Sequence, residues 1–219
     1  MKELLELSKS TATRVGLKLL KTRDLRRAKY VHRPDLPKEI KAFADGISDD
    51  DISRSLAPAG LAILSEESGE TPGRIRSPLR FIVDPLDGTF NFVKGLGPCA
   101  VSIALWKGQK PIFGVVYNLL ERRLFWGGAG LGAYADGRRL TVSDTAERAR
   151  ASLCTGFPVR FDMESEASRK RFWRRIKPYA KVRMIGSAAA SLLNVASGAA
   201  DAYFEESIML WDVAAGIAI

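Results

Sequence analysis

The sequence predicts a layered α+β fold, and three observations carry that prediction. An amphipathic helical start opens the chain, a strand-rich middle follows between residues 81 and 126, and strands alternate with helices from residue 151 onward. This pattern places a mixed or antiparallel sheet in an N-terminal half, residues 1–142. A second sheet with helices falls in a C-terminal half, residues 143–219.

Residues 2–28 set Leu4, Ser8, Thr11, Val15 and Leu19 on one helical face with Lys and Arg opposite, which predicts a covering helix. A loop at Pro34 and Pro37 comes next, with Pro37 suited to a first helical turn. Ile40, Phe43, Ala44 and Ile47 then repeat the helical spacing. The Asp49-Asp50-Asp51 run reads as a solvated turn or helix-cap cluster. Leu61 to Leu64 reads as a short buried strand ending in Ser65-Glu66-Glu67, and residues 68–77 as a loop or hairpin. Residues 100–106, 111–117 and 122–126 predict an antiparallel meander, and Asp136-Gly137 between Tyr134 and Leu140 a hairpin turn. The glycines between Gly127 and Gly132 lack the Lys-Ser/Thr ending of a phosphate loop and read as turns. Further on, residues 151–157 predict a strand and 163–176 a helix with Phe172, Trp173 and Ile176 inward. Residues 181–185 predict a strand, and Ser187 caps a helix over 188–197 that Gly198 closes. A strand over 201–205 and a helix opening at Trp211-Asp212 complete the order.

Composition removes several functional classes. The single histidine, His32, leaves no Ser-His-Asp triad and no histidine-based zinc site. Cys99 and Cys154 lack ligand spacing and read as reduced core residues. No apolar run has the length of a membrane span and the N-terminus lacks the apolar stretch of a secretory signal, so a cytoplasmic location is expected. The net charge of +9 is spread over several segments without an aromatic-interleaved basic motif. It predicts a solvated surface that attracts small anions rather than a nucleic-acid partner.

The chemistry concentrates in Phe81-Ile-Val-Asp84-Pro-Leu-Asp87-Gly-Thr89. A buried strand runs into two carboxylates separated by Pro85, which turns the backbone so that both point to one side, and then into a Gly-Thr pair that opens a helix. Hard divalent cations favour such oxygens, and the amides of Gly88 and Thr89 suit a phosphate. Alone, Pro-Leu-Asp-Gly is also a good type I turn with Asp84 as a cap; the flanking segments favour the site.

Three segments together resemble the signatures of the inositol monophosphatase family: Asp84-Pro-Leu-Asp87-Gly-Thr89, Ser65-Glu66-Glu67-Ser68, and Leu210-Trp211-Asp212-Val-Ala-Ala-Gly216. The likeness runs from about residue 60 to 219. It implies an αβαβα sugar-phosphatase sandwich and a Mg²⁺-dependent, lithium-sensitive phosphomonoesterase, with two or three ions per site, Mn²⁺ also possible, and a homodimer. By the same likeness Glu67, Asp84 and the Leu86 carbonyl hold a first ion, and Asp84, Asp87 and Asp212 a second. Glu67 and Thr89 orient the attacking water, and Gly88 and Thr89 bind phosphate. Gly186, Ser187, Ala188 and Glu205 receive the substrate, though Glu205 also reads as a strand-end charge. At the place where the family carries a Thr-x-x-Asp-like element for a further metal, only Asp45 offers itself. A small polyol or sugar phosphate such as inositol 1-phosphate is the implied substrate. 3′-Phosphoadenosine 5′-phosphate, fructose 1,6-bisphosphate and histidinol phosphate are the alternatives. Family members continue past the Trp-Asp helix with another strand and helix, so the likeness also implies a shortened C-terminus, with an inactive binding protein as the competing expectation.

Overall fold

The computed structural model describes residues 1–24, 30–32, 40–157 and 161–219. In chain order the elements are α1 (Lys2–Asp24), β1 (Tyr30–His32), β2 (Ile40–Ala42), α2 (Phe43–Leu56), β3 (Ala62–Ser65), β4 (Gly69–Thr71), β5 (Leu79–Asp87) and α3 (Thr89–Lys94). There follow β6 (Ala100–Lys107), β7 (Lys110–Asn118), β8 (Arg123–Gly128), β9 (Gly132–Ala135), β10 (Arg138–Arg139) and β11 (Ser152–Cys154). The last elements are α4 (Glu166–Ile176), β12 (Lys181–Arg183), α5 (Ala188–Ala196), β13 (Ala202–Tyr203) and α6 (Leu210–Ala218). The expected loop at Pro34 and Pro37, and the end of the first helix at residues 25–28, lie outside the described residues.

Eight strands form one sheet in the order β10-β9-β8-β7-β6-β5-β3-β4. All its pairings are antiparallel except β3 with β5. Its strands β5 to β7 are buried on both faces, so they read as apolar runs rather than alternating ones. On one face Phe81, Val83, Val101, Ile103, Leu105 and Val115 pack with Ala12, Val15 and Leu19 of α1 and Ile52 and Leu56 of α2. On the other, Ile82, Ala104, Trp106, Val116 and Phe125 pack with Ala189 and Leu193 of α5 and Ala214 and Ala215 of α6. The second face is lined with small residues, so α6 lies close. A Cβ on Gly114 would come within 2.0 Å of the Ala215 carbonyl oxygen, and the Trp106 indole donates to the Ala214 carbonyl at 3.2 Å. These contacts fix the helix that carries Asp212.

A second sheet, order β12-β11-β13, is wholly parallel. Its crossovers, α4 from β11 to β12 and α5 from β12 to β13, step in opposite directions across the sheet. Right-handed connections therefore place the two helices on opposite faces. With α5 also packed on the large sheet, the layers run α, β, α, β, α as expected. Phe157, Phe161 and Phe172 hold α4 in a cluster with ring centroids 4.6–5.6 Å apart. Among the described residues no helix is long and apolar enough to cross a membrane.

Three local expectations change. Residues 40–42 pair with β1 as a strand, and α2 begins only at Phe43. The helix buries Ala44, Asp45, Ser48, Asp49, Ile52 and Leu56, while Phe43 is 70% exposed. Its inward face is partly acidic because it meets the site, which apolar periodicity alone cannot show. The Asp49-Asp50-Asp51 run is thus helical: Asp49 is buried and accepts from the Ser65 hydroxyl at 2.5 Å, and Asp51 pairs with Lys18 at 2.6 Å. Trp173 is 61% exposed, because Phe172 and Ile176 share a face four residues apart and Trp173 lies about 100° round from Phe172.

Candidate active site

The site forms where the large sheet's parallel pair, β3 with β5, ends. Ser65 lies opposite Val83 in β3 and β5, and the Glu66 amide donates to the Val83 carbonyl at 3.2 Å. Glu66 therefore continues the face of Leu64 beside Ile82 and Asp84, whereas Glu67 is one residue out of phase. Carboxylate oxygens of Glu66, Asp84 and Asp212 lie within 4.8 Å of one another. Glu66, and not the Glu67 expected as a ligand, belongs to this group of three. Glu67 is half-buried, and its amide meets the Ser65 hydroxyl at 3.4 Å.

Asp84 and Asp87 are three residues apart, so a regular strand would send them to opposite faces. Opposite β6, however, Asp84 pairs with Ser102 and Asp87 with Ala100, three residues against two. This bulge resets the phase, and Pro85, with no amide to donate, is suited to it. The strand continues to Asp87 rather than turning at once at Pro85. The turn comes at Gly88, with φ 84°, where a Cβ would lie 3.0 Å from both the Gly186 and Pro98 carbonyl oxygens. Only glycine suits that position.

Asp84 is fully buried. One oxygen accepts from the Leu86 amide at 3.0 Å; the other has no hydrogen-bond partner among the described residues. Burial, and then the charges of Glu66, Asp87 and Asp212, hold its carboxyl well above the usual range. Burial and the Asp87 and Glu66 charges push Asp212 up to about 8, although its carboxylate accepts from the Met209 amide at 3.0 Å. Asp87 is raised to about 7 by burial. Its oxygens accept from the Ser187 hydroxyl, the Ala188 amide at 3.2 Å and the Ala189 amide at 2.9 Å, at the start of α5. Asp87 thus lies beside the three clustered acids while its hydrogen bonds go to α5.

Converging carboxylates with a buried, unpartnered oxygen suit a divalent cation, because unpaired buried charge costs several kcal/mol per ion. The donor set is all oxygen, which favours Mg²⁺ or Mn²⁺ over softer metals. The Leu86 carbonyl lies at the same turn and accepts from the Thr89 hydroxyl at 3.0 Å, and that hydroxyl also lies 3.2 Å from an Asp45 oxygen. Asp45, on the acidic face of α2, thus reaches Thr89; sequence spacing gave no sign of this pairing.

The remaining expected residues gather on the small sheet. Its parallel strands end at Cys154, Arg183 and Tyr203, and the turns that follow carry Gly156, Gly186 to Ala188, and Glu205. Carboxyl ends of parallel strands at a change of connection direction are the usual ligand edge of such sheets. Ser187 caps α5 by accepting from the Ala190 amide. Glu205 accepts from the Tyr203 hydroxyl at 2.9 Å and lies where a Cβ on Gly156 would come within 2.8 Å of it. Burial raises its carboxyl, and its charge helps raise that of Asp212, so the two carboxylates are neighbours. The sequence assigns neither Tyr203 nor Asn91 a role of its own. A tyrosine two residues before an acid on a strand was the available signal for the first.

The chain is similar to proteins of this architecture. It is 35% identical over 195 residues to "Nus factor SuhB" of Pasteurella multocida, covering 85% of this chain and 73% of that protein. It is 34% identical over 185 residues to "Fructose-1,6-bisphosphatase/inositol-1-monophosphatase" of Aquifex aeolicus, covering 83% and 69%. The crystal structure of extragenic suppressor protein suhB from Bartonella henselae superposes with a TM-score of 0.88 at 31% identity, over 99% of this chain and 83% of that one. With residues 1–219 matching the family as a whole, the chain belongs to the inositol monophosphatase family.

Proposed function

We propose that this protein is a Mg²⁺-dependent phosphomonoesterase acting on a small phosphorylated polyol or sugar. The observation that carries the reading is the convergence of Glu66, Asp84 and Asp212 around the unpartnered oxygen of Asp84. These residues, with the Leu86 carbonyl and Asp87, would hold the cations. Bound divalent cations supply Lewis acidity toward phosphoryl oxygen and make water acidic enough to attack.

The chain's own residues do the rest. Thr89 directs its proton toward Leu86 or Asp45, which leaves a lone pair to accept from the attacking water and aim it. Gly88 and Thr89 amides receive the phosphate at the start of α3. Glu205, oriented by Tyr203, and the Gly186–Ala188 turn accept and donate to substrate hydroxyls. A relative named for both fructose 1,6-bisphosphatase and inositol-1-monophosphatase activity supports a sugar bisphosphate as a second substrate of the same site.

The test is phosphate release from inositol 1-phosphate, fructose 1,6-bisphosphate, 3′-phosphoadenosine 5′-phosphate and p-nitrophenyl phosphate, with Mg²⁺ and after chelation. Turnover with Mg²⁺, inhibition by Li⁺ and a higher melting temperature with Mg²⁺ plus phosphate are expected. A folded protein that neither melts later with Mg²⁺ nor releases phosphate would overturn the reading.

A further inference from the structure

Asn91 belongs to none of the roles above, yet it joins the turn after β5 to the turn between β12 and α5. It is 8% exposed, within the short helix α3 that follows Gly88. Its side-chain amide nitrogen lies 2.9 Å from the Pro98 carbonyl, 2.7 Å from that of Ile185 and 3.3 Å from that of Gly186. Two hydrogens thus serve three carbonyls, one beside α3 and two on the turn between β12 and α5.

The surrounding backbone is packed to the same purpose. A Cβ on Gly186 would lie 3.0 Å from the Asn91 amide nitrogen, and one on Gly88 would lie 3.0 Å from the Gly186 oxygen. The 185–188 turn has a second tether, the Asp87 carboxylate on Ser187, Ala188 and Ala189. Asp87, however, is an acid beside the metal cluster, so that tether depends on what the cluster holds. Asn91 is neutral, and its hold does not.

We propose that Asn91 is a positioning residue: it sets the Ile185–Ala188 turn against the Asp84–Thr89 turn, and through that spacing it governs preference for phosphates that carry hydroxyls. The inference rests on the phosphatase reading for its catalytic consequence and on the geometry alone for its structural one. Asn91→Ala removes the donor to all three carbonyls; Asn91→Asp turns a carboxylate on them. A phosphate without hydroxyls does not use the turn, so its turnover is spared.

The experiment compares kcat/KM for inositol 1-phosphate and for p-nitrophenyl phosphate in the wild type, Asn91→Ala and Asn91→Asp. Amide hydrogen exchange of residues 185–190 is measured alongside. The expected result is a fall of about tenfold in the inositol 1-phosphate to p-nitrophenyl phosphate ratio, the size of one or two lost hydrogen bonds, carried by KM. Exchange should quicken at 185–190 while β6 and β7 stay protected. An unchanged ratio, or exchange that rises equally everywhere, overturns the proposal. If the Asn91 variants do not fold, Gly186→Ala presses the same contact from the other side and must lower the same ratio. Should the wild type hydrolyse neither phosphate, the phosphatase reading fails and exchange at 185–190 alone decides whether Asn91 positions the turn.

Discussion

Replacing Asp212 with Asn should make the metal-free protein more stable at alkaline pH and leave it unchanged in acid. Asp212 is raised to about 8 in the fold, from 3.8 for an unperturbed carboxyl. Between those values the folded state keeps a proton that the unfolded chain has lost, so wild-type stability falls as pH rises through the window and levels off above it. Roughly four pH units at about 1.4 kcal/mol each would give about 6 kcal/mol. Asp212 is only half-buried, and solvent screening reduces this to about 2–3 kcal/mol. Asn imitates the neutral form and keeps an oxygen for the Met209 amide, so it escapes the loss. For a chain of this length the gain corresponds to about 4–12 °C in Tm. The assay is urea and thermal unfolding, followed by tryptophan fluorescence with a chelator present, at pH 4, 6 and 9. Curves for the two proteins should coincide at pH 4 and separate by pH 9, with the variant above. Millimolar Mg²⁺ should then reverse the order, since only the wild type retains the ligand. Parallel loss of stability from pH 4 to 9, or a variant less stable at pH 9, would show that burial and its acidic neighbours do not raise Asp212.

Glu66→Gln should weaken Mg²⁺ binding in calorimetric titration and lower turnover by about a hundredfold or more, on the scale of a lost transition-state interaction, whereas Glu67→Gln should have a much smaller effect; equal effects would refute the strand phasing. Gly88→Ala should cost about 1–3 kcal/mol of stability because it forces a side chain into positive φ against two carbonyl oxygens, and unchanged urea unfolding would contradict the close approach. Tyr203→Phe leaves Glu205 unoriented, so KM for inositol 1-phosphate should rise about 3–10-fold, the worth of one hydrogen bond, with kcat little changed; a change in kcat alone would place Tyr203 elsewhere. Asp49→Ala strands the buried Ser65 hydroxyl and should cost about 1–3 kcal/mol in the unfolding transition.

The layers were legible because periodicity and turn chemistry act locally: the meander from β6 to β8, the Asp136-Gly137 hairpin and the Ser187 cap all lie where residue pattern places them. The choice between Glu66 and Glu67 was harder, since both follow the same short strand. Alternation from Ile63, which packs toward α1 and α2, to Leu64, which packs toward α6, contained the signal that separates the two. Pro85 hid the phase of Asp84 and Asp87 behind a bulge that needs the partner strand to be seen. The inward face of α2 misled for a different reason. Its buried acids serve Thr89 and Ser65 across more than a dozen residues of sequence, and polarity at a helix face ordinarily signals solvent. The tether at Asn91 could not be read from the sequence because its partners Ile185 and Gly186 arrive from the other end of the chain.

The parallel pairing of β3 with β5 makes the short strand a ruler for chain length. Everywhere else in the large sheet a carboxyl end lies beside an amino end; here two carboxyl ends meet, and they do so in one register. A single residue inserted within Ala62–Ser65 would turn Glu66 to the wrong face and empty the cluster of one acid. The same insertion at the exposed Arg76, in the connection back to β5, would leave both strand ends where they are. Length variation compatible with an intact site is therefore confined to that connection, and a library of one-residue insertions across 60–80 would divide at the end of the strand.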